Sequence, residues 1–139
     1  MRARLAPLVV LSFSAVLLIS PAIAQEEVGS LSIELNRIDP RDGACRLTFL
    51  AENGLGADLD TLSLETVLID RDGQVELLTL FEFGALPHGV PRVRQFDIAG
   101  LACTDLGRVL INGVGDCGAG DSCAEVLELS SRTDVELIG

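Results

Sequence analysis

Apolar and polar residues alternate with a period of two along most of this chain from Leu31 onward. Successive side chains of a strand point to opposite faces, so this alternation marks strands with one buried face. Leu31, Ile33 and Leu35 interleave with Ser32, Glu34 and Asn36, which predicts a first strand over 30–38. "DPRDG" (39–43) is a turn by composition. Cys45, Leu47, Phe49 and Ala51 alternate with Arg46, Thr48, Leu50 and Glu52 in a second strand. Its phase places Cys45 on the core face beside Leu47 and Phe49. "ENGLGADLD" (52–60) is a loop, and Leu62–Asp70 is a third strand. Asp at the first position and Gly at the fourth of "DRDG" (70–73) suit a type I hairpin turn into a strand over 74–83. That segment carries Val75, Leu77, Thr79, Phe81 and Phe83 on one side and Leu78 and Leu80 on the other. Both of its faces are therefore expected to be partly covered.

"GALPHGVP" (84–91) is a loop with two prolines and two glycines. A fifth strand follows at Arg92–Ile98, with Arg94, Phe96 and Ile98 opposite Val93, Gln95 and Asp97, and its pattern leaves the inward face open. "GLACTDLG" leads to a sixth strand over Arg108–Val114, with Val109 and Ile111 in phase. Val126–Ser130 and Thr133–Ile138 close the chain as one long strand bent or bulged at Ser131–Arg132, or as two short ones. No helical period is present after the N-terminal segment, though Ser122–Leu127 has room for a single turn. Short strands with regularly spaced turns describe an all-β sandwich or barrel of seven or eight strands.

The N-terminus departs from this pattern. Arg2 and Arg4 precede an uncharged run, Leu5–Ser20, then Pro21 and a small-x-small site at Ala22-Ile23-Ala24. These are the three parts of a secretory signal peptide. The run of 16 residues is shorter than the roughly 20 that span a bilayer. The expected organisation is a signal peptide over 1–24 and one domain over 25–139. With no cysteine after the apolar run a lipoprotein anchor is not expected, and Ala3 between the arginines favours the general export route. Localisation is expected to be periplasmic or secreted, with no membrane insertion after cleavage.

Charge narrows the partners. The formal net charge is −11, with 21 acidic residues, 10 arginines and no lysine. Arg2 and Arg4 leave with the leader, so the mature chain carries −13. Such a surface repels phosphate backbones and anionic lipid. The mature chain has no Trp or Tyr, and its aromatic residues are Phe49, Phe81, Phe83 and Phe96. These read as core rather than as stacking platforms for sugars or bases.

The stretch "LTFLAENGLGADLDTLSLETVLIDRDGQV" (47–75) resembles the central hairpin of small exported bacterial immunoglobulin-like and fibronectin-like β-sandwich domains. In these, a strand ending in an Asn-Gly loop is followed by a strand, an Asp-Gly turn and a return strand. The mature chain also looks similar to a group of small secreted alphaproteobacterial proteins. The resemblance implies an immunoglobulin-like sandwich of mostly antiparallel strands and carries over no functional residue. The buried Trp and tyrosine corner of true immunoglobulin domains are absent.

Cys45, Cys103, Cys117 and Cys123 form an even set in a chain with an export signal, which favours disulfides. Three pairings exist. Cys117–Cys123 with Cys45–Cys103 is preferred, because Gly118, Ala119 and Gly120 let the short loop close. The other bridge spans 58 residues and is worth roughly 4 kcal/mol by the chain-entropy argument. Zinc is disfavoured by spacings of 58, 14 and 6 and by a single histidine. A redox pair needs C-x-x-C, which is missing.

Other chemistry is thin. "DRDG" lacks a third acidic position for calcium, and a calcium loop from Asp116, with Asp121 and Glu125, ends at Leu127 where Glu is needed. His88 has no G-x-S-x-G partner, and Ser63, Ser122, Ser130 and Ser131 lie in no nucleophile context. Carboxylate pairs such as Glu26-Glu27 say nothing in so acidic a chain. No catalytic residue, cofactor or metal is expected. The most distinctive loop is "GALPHGVPRVR" (84–94), where Pro87, His88, Pro91, Arg92 and Arg94 form a braced, locally positive candidate interaction loop. The expected function is a non-enzymatic binding or accessory module acting by protein–protein contact on an unknown protein of the cell envelope. The alternative is a carrier or sensor of a small ligand or calcium.

Overall fold

Asp70 shows how local chemistry sets the frame. Its Oδ1 accepts from the amides of Asp72 (2.9 Å) and Gln74 (2.8 Å), and its carbonyl accepts from the Gly73 N–H at 3.1 Å. Gly73 has φ +85°, a left-handed conformation that glycine adopts without strain. The result is the expected type I turn, with a register shift where β3 (Leu62–Asp70) meets β4 (Val75–Glu82). This computed structural model describes residues 29–118 and 121–139. The expected signal peptide lies outside the described residues.

The described residues form eight strands in two four-stranded sheets. β1 (Leu31–Arg41) and β2 (Ala44–Asn53) form a hairpin. β5 (Arg92–Ala99) adds to β2, and β7 (Leu127–Ser131) adds to β1, giving the order β5-β2-β1-β7. The second sheet has the order β4-β3-β6-β8, with β6 (Leu106–Cys117) and β8 (Glu136–Ile138). β7 runs parallel to β1, and β8 parallel to β6, so both sheets are mixed. Short 3₁₀ turns at Cys103–Asp105 and Asp121–Val126 complete the described elements.

The core lies between the sheets. Leu31, Ile33, Leu35, Leu47 and Phe49 of the first sheet meet Leu64, Leu68, Val109 and Ile111 of the second in one buried cluster. Phe49 stands edge-on to Phe81 (5.8 Å), Phe83 (5.6 Å) and Phe96 (5.9 Å). Phe81 and Phe96 stack at 4.1 Å. The four phenylalanines thus join both sheets, and edge-on contacts add to area burial.

Both expected disulfides are present, Cys45–Cys103 and Cys117–Cys123, and no cysteine is free. The first ties β2 to the turn that leads into β6. The second joins the end of β6 to the 3₁₀ turn before β7.

Several elements differ from the sequence reading. β1 continues through Pro40 to Arg41, so the turn is confined to Asp42 and Gly43. A bulge between Leu35 and Arg37 shifts the pattern, which let Ile38 and Pro40 read as strand end and turn. β6 runs to Cys117, because Gly113, Val114 and Cys117 pair with Glu65, Leu64 and Leu62 of β3 through a glycine-rich stretch that shows no alternation. The C-terminal segment takes the second of its two expected forms, two short strands, with one in each sheet. β4 is the largest correction. Only Phe81 among its eight residues is buried, because β4 is an edge strand with a partner on one side alone.

Candidate functional site

The loop between β4 and β5 is built around a residue the pattern did not single out. Asn53 is fully buried. Its Nδ2 donates to the carbonyls of Leu86 (2.9 Å) and Ala57 (2.8 Å), and its Oδ1 accepts from the Leu55 amide at 2.9 Å. Its carbonyl accepts from the Gly89 N–H at 2.8 Å. One amide side chain thus fastens the loop after β2 to the loop after β4. Leu59 and Leu86 pair their backbones and are both buried beside it. In sequence Asn53 was legible only as part of an Asn-Gly loop.

His88 is exposed, with its Nδ1 accepting from the Gly56 amide at 3.1 Å. Its own amide donates to Asp58 Oδ1 at 2.8 Å. Pro87 is half-buried and Pro91 exposed. Arg94 is committed internally: its guanidinium donates to the carbonyls of Phe83 (2.5 Å), Ala85 (2.9 Å) and Val93 (3.0 Å). It fixes β5 against the chain leaving β4. Arg92 donates only to the Pro91 carbonyl, at 3.3 Å. Both arginines of the expected loop lie on β5, and of the two Arg92 is the one whose charge remains available at the surface.

A larger feature lies beside this loop. Leu78 of β4 is paired with Val67, Val67 with Leu110, and Leu110 with Ile138. Paired residues share a face, so an apolar row crosses all four strands on the outer side of the second sheet. The exposure is concentrated on β4, where Leu78 is 58% exposed, Leu80 47% and Val75 66%, while Val67 in the same row is buried and Leu110 half-buried. The charged neighbours are mostly acidic. Glu65 holds Asn112 by a short hydrogen bond, and Glu136 faces Arg108 at 3.7 Å. Between Asp72 and Pro91 there are three carboxylates, Asp72, Glu76 and Glu82, and no lysine or arginine.

Two open clefts lie elsewhere on the surface, the first of them apolar. One of about 400 Å³ is bounded by Pro40, Ala44, Leu101, Ala102 and Cys103, against the long disulfide. The other, about 540 Å³, opens between β6, β7 and β8 at Ile111, Val114, Leu127, Leu129 and Leu137. Asp116, a calcium candidate, gives its amide to Ser63 Oγ at 2.7 Å. No cluster of three metal-ligating side chains stands among the described residues.

Electrostatic shifts are confined to surface pairs. The Arg46 guanidinium forks onto Asp97 at 2.6 and 2.8 Å and holds its carboxyl below the ordinary aspartate range. The side-chain amide of Asn36, and then Arg132, lower the Glu34 carboxyl.

Fold and disulfides together define a two-sheet all-β domain matured in an oxidising compartment, where such bridges form and persist. No protein-family model matches the chain, and no curated protein or solved structure matches it.

Proposed function

We propose that this chain is an exported, non-enzymatic module that works by protein contact in the bacterial periplasm or outside the cell. The observation that carries the reading is the apolar patch that Val75, Leu78 and Leu80 of β4 expose on the outer side of the second sheet. Contiguous apolar surface of this kind is characteristic of interaction sites. The leader-like segment over 1–24 and the two disulfides support export.

We also read the fold as immunoglobulin-like. The neighbours β1-β2-β5 follow the A-B-E order of that class, and β4-β3-β6 follow C′-C-F. The strand beside β6 departs from it, running parallel where the class has an antiparallel G strand. An origin among small secreted alphaproteobacterial proteins is part of the same proposal and rests on the resemblance of the mature chain to that group.

The test is a photo-cross-linking residue placed at Leu78 in the exporting cell, with Glu128 on the other sheet as control. Adducts to a protein are expected from Leu78 and not from Glu128. Efficient turnover by the purified protein across hydrolase and oxidoreductase substrates overturns the reading.

A second reading is a carrier of a small ligand, favoured by the cleft beside Cys103, whose volume lies within the range of ligand pockets. An apolar dye that binds there and is lost in Ala102→Asp supports it. The calcium version predicts a higher Tm with millimolar calcium, and an unchanged Tm removes it.

A further inference from the structure

We propose that the free edge of β4 receives an extended strand from a partner protein, apolar at its centre and carrying lysine or arginine at its flanks. This rests on the protein-contact reading and names the partner's chemistry.

The four sheet edges differ in how they are protected. β7 has five residues and β8 three, too short to template much pairing. β5 follows Pro91 and carries Arg92, Arg94 and Asp97. Short length, proline and charge are the usual means of blunting an edge. β4 is eight residues long with no proline, and its two charges, Glu76 and Glu82, lie toward its ends and leave Leu77–Phe81 uncharged. Its register shift against β3 lies at its first residues, so it runs regularly from Leu77 to Glu82. No strand among the described residues pairs with its outer side.

The backbone direction is fixed by the ladder. The Phe83 amide donates to the Leu62 carbonyl at 2.8 Å. Alternate residues of an antiparallel strand face the partner, so Phe81, Thr79 and Leu77 bond to β3. The N–H and C=O groups of Leu78, Leu80 and Glu82 point to the open side. An incoming strand finds these groups together with exposed Val75, Leu78 and Leu80, as strand addition requires.

Charge selects the occupant. Glu76, Glu82 and Asp72 frame the strand, with no cation between Asp72 and Pro91. Opposite charges across a strand pair stabilise it and like charges oppose it. A second copy of this chain is therefore a poor occupant. Self-pairing about Thr79 matches Leu77 with Phe81 and Leu78 with Leu80 but sets Glu76 against Glu82 at both ends. It also brings together two molecules of net charge −11 each.

The experiment uses the oxidised mature protein and two synthetic peptides with the same alternating valine–threonine centre, one flanked by lysines and one by glutamates. The lysine-flanked peptide is expected to bind roughly tenfold tighter or more, less so at high salt. Binding should slow amide exchange at Leu78, Leu80 and Glu82. Leu80→Pro removes an outward N–H that the fold does not use, and should abolish binding with Tm retained. If that variant does not fold, Leu80→Lys should weaken binding of the lysine-flanked peptide. Glu76→Lys with Glu82→Lys should reverse the preference.

Equal binding of the two peptides, binding that leaves those amides unchanged, or no binding overturns the proposal. So does a concentration-dependent dimer that protects the same amides, which assigns the edge to a second copy. If the proposal fails while Leu78 still cross-links to a protein in the cell, the protein-contact reading stands. If both fail, the reading falls with it.

Discussion

Asn53 joins two loops that strand pairing alone does not connect. Its replacement by alanine leaves the carbonyls of Leu86 and Ala57 and the amide of Leu55 without their partners. Each unmet buried group costs about 1–3 kcal/mol. Asn53→Ala should therefore destabilise the domain by about 2 kcal/mol or more, measured by urea unfolding, with faster amide exchange at Gly89. Phe49 touches the other three core aromatics, and Phe49→Ala should cost about 3–5 kcal/mol by the same method. The Arg46–Asp97 pair sets a pH dependence. Asp97 titrates below its unfolded value of about 3.9, so the pair contributes in full above that pH. The contribution is lost as pH falls through the depressed folded value. Asp97→Asn should flatten the acid limb of stability below about pH 4, read from Tm against pH in paired scans of the two proteins.

At the scale of elements, the two disulfides close loops of different length. Replacing Cys45 and Cys103 by alanine releases a 58-residue closure, worth about 4 kcal/mol. Replacing Cys117 and Cys123 releases a closure of six, worth about 2 kcal/mol. The first double variant should have the lower denaturant midpoint, and equal midpoints would contradict the chain-entropy account. Strands with one face buried were legible: Leu31, Ile33 and Leu35, and Cys45, Leu47, Phe49 and Ala51, lie inward as their alternation requires. Leu62–Asp70 matches the expected strand end to end because Asp70 and Gly73 terminate it chemically. β4 was not legible. Exposed Leu78 and Leu80 read like covered residues, since alternation reports faces and is silent on whether a strand lies at a sheet edge. The parallel placement of β7 and β8 was hidden for a related reason: strand neighbours that are distant in sequence leave no mark in local pattern.

For the whole molecule, the account joins a rigid interior to one open flank. The aromatic cluster, the Arg94 brace and the Asn53 tie all sit near the end of the sandwich where β4 meets β5. They hold the flank in place without covering it. Of the residues expected to form an interaction loop, Arg94 is spent on that bracing and His88 on joining two loops. The exposed apolar surface lies one strand earlier. The most direct measurement is residue-resolved amide exchange along β4 in the dilute, isolated, oxidised protein. The account predicts alternation, with slow exchange at Leu77, Thr79 and Phe81 and fast exchange at Leu78, Leu80 and Glu82. Uniform protection along the strand would mean that its edge is already covered, and would contradict the account.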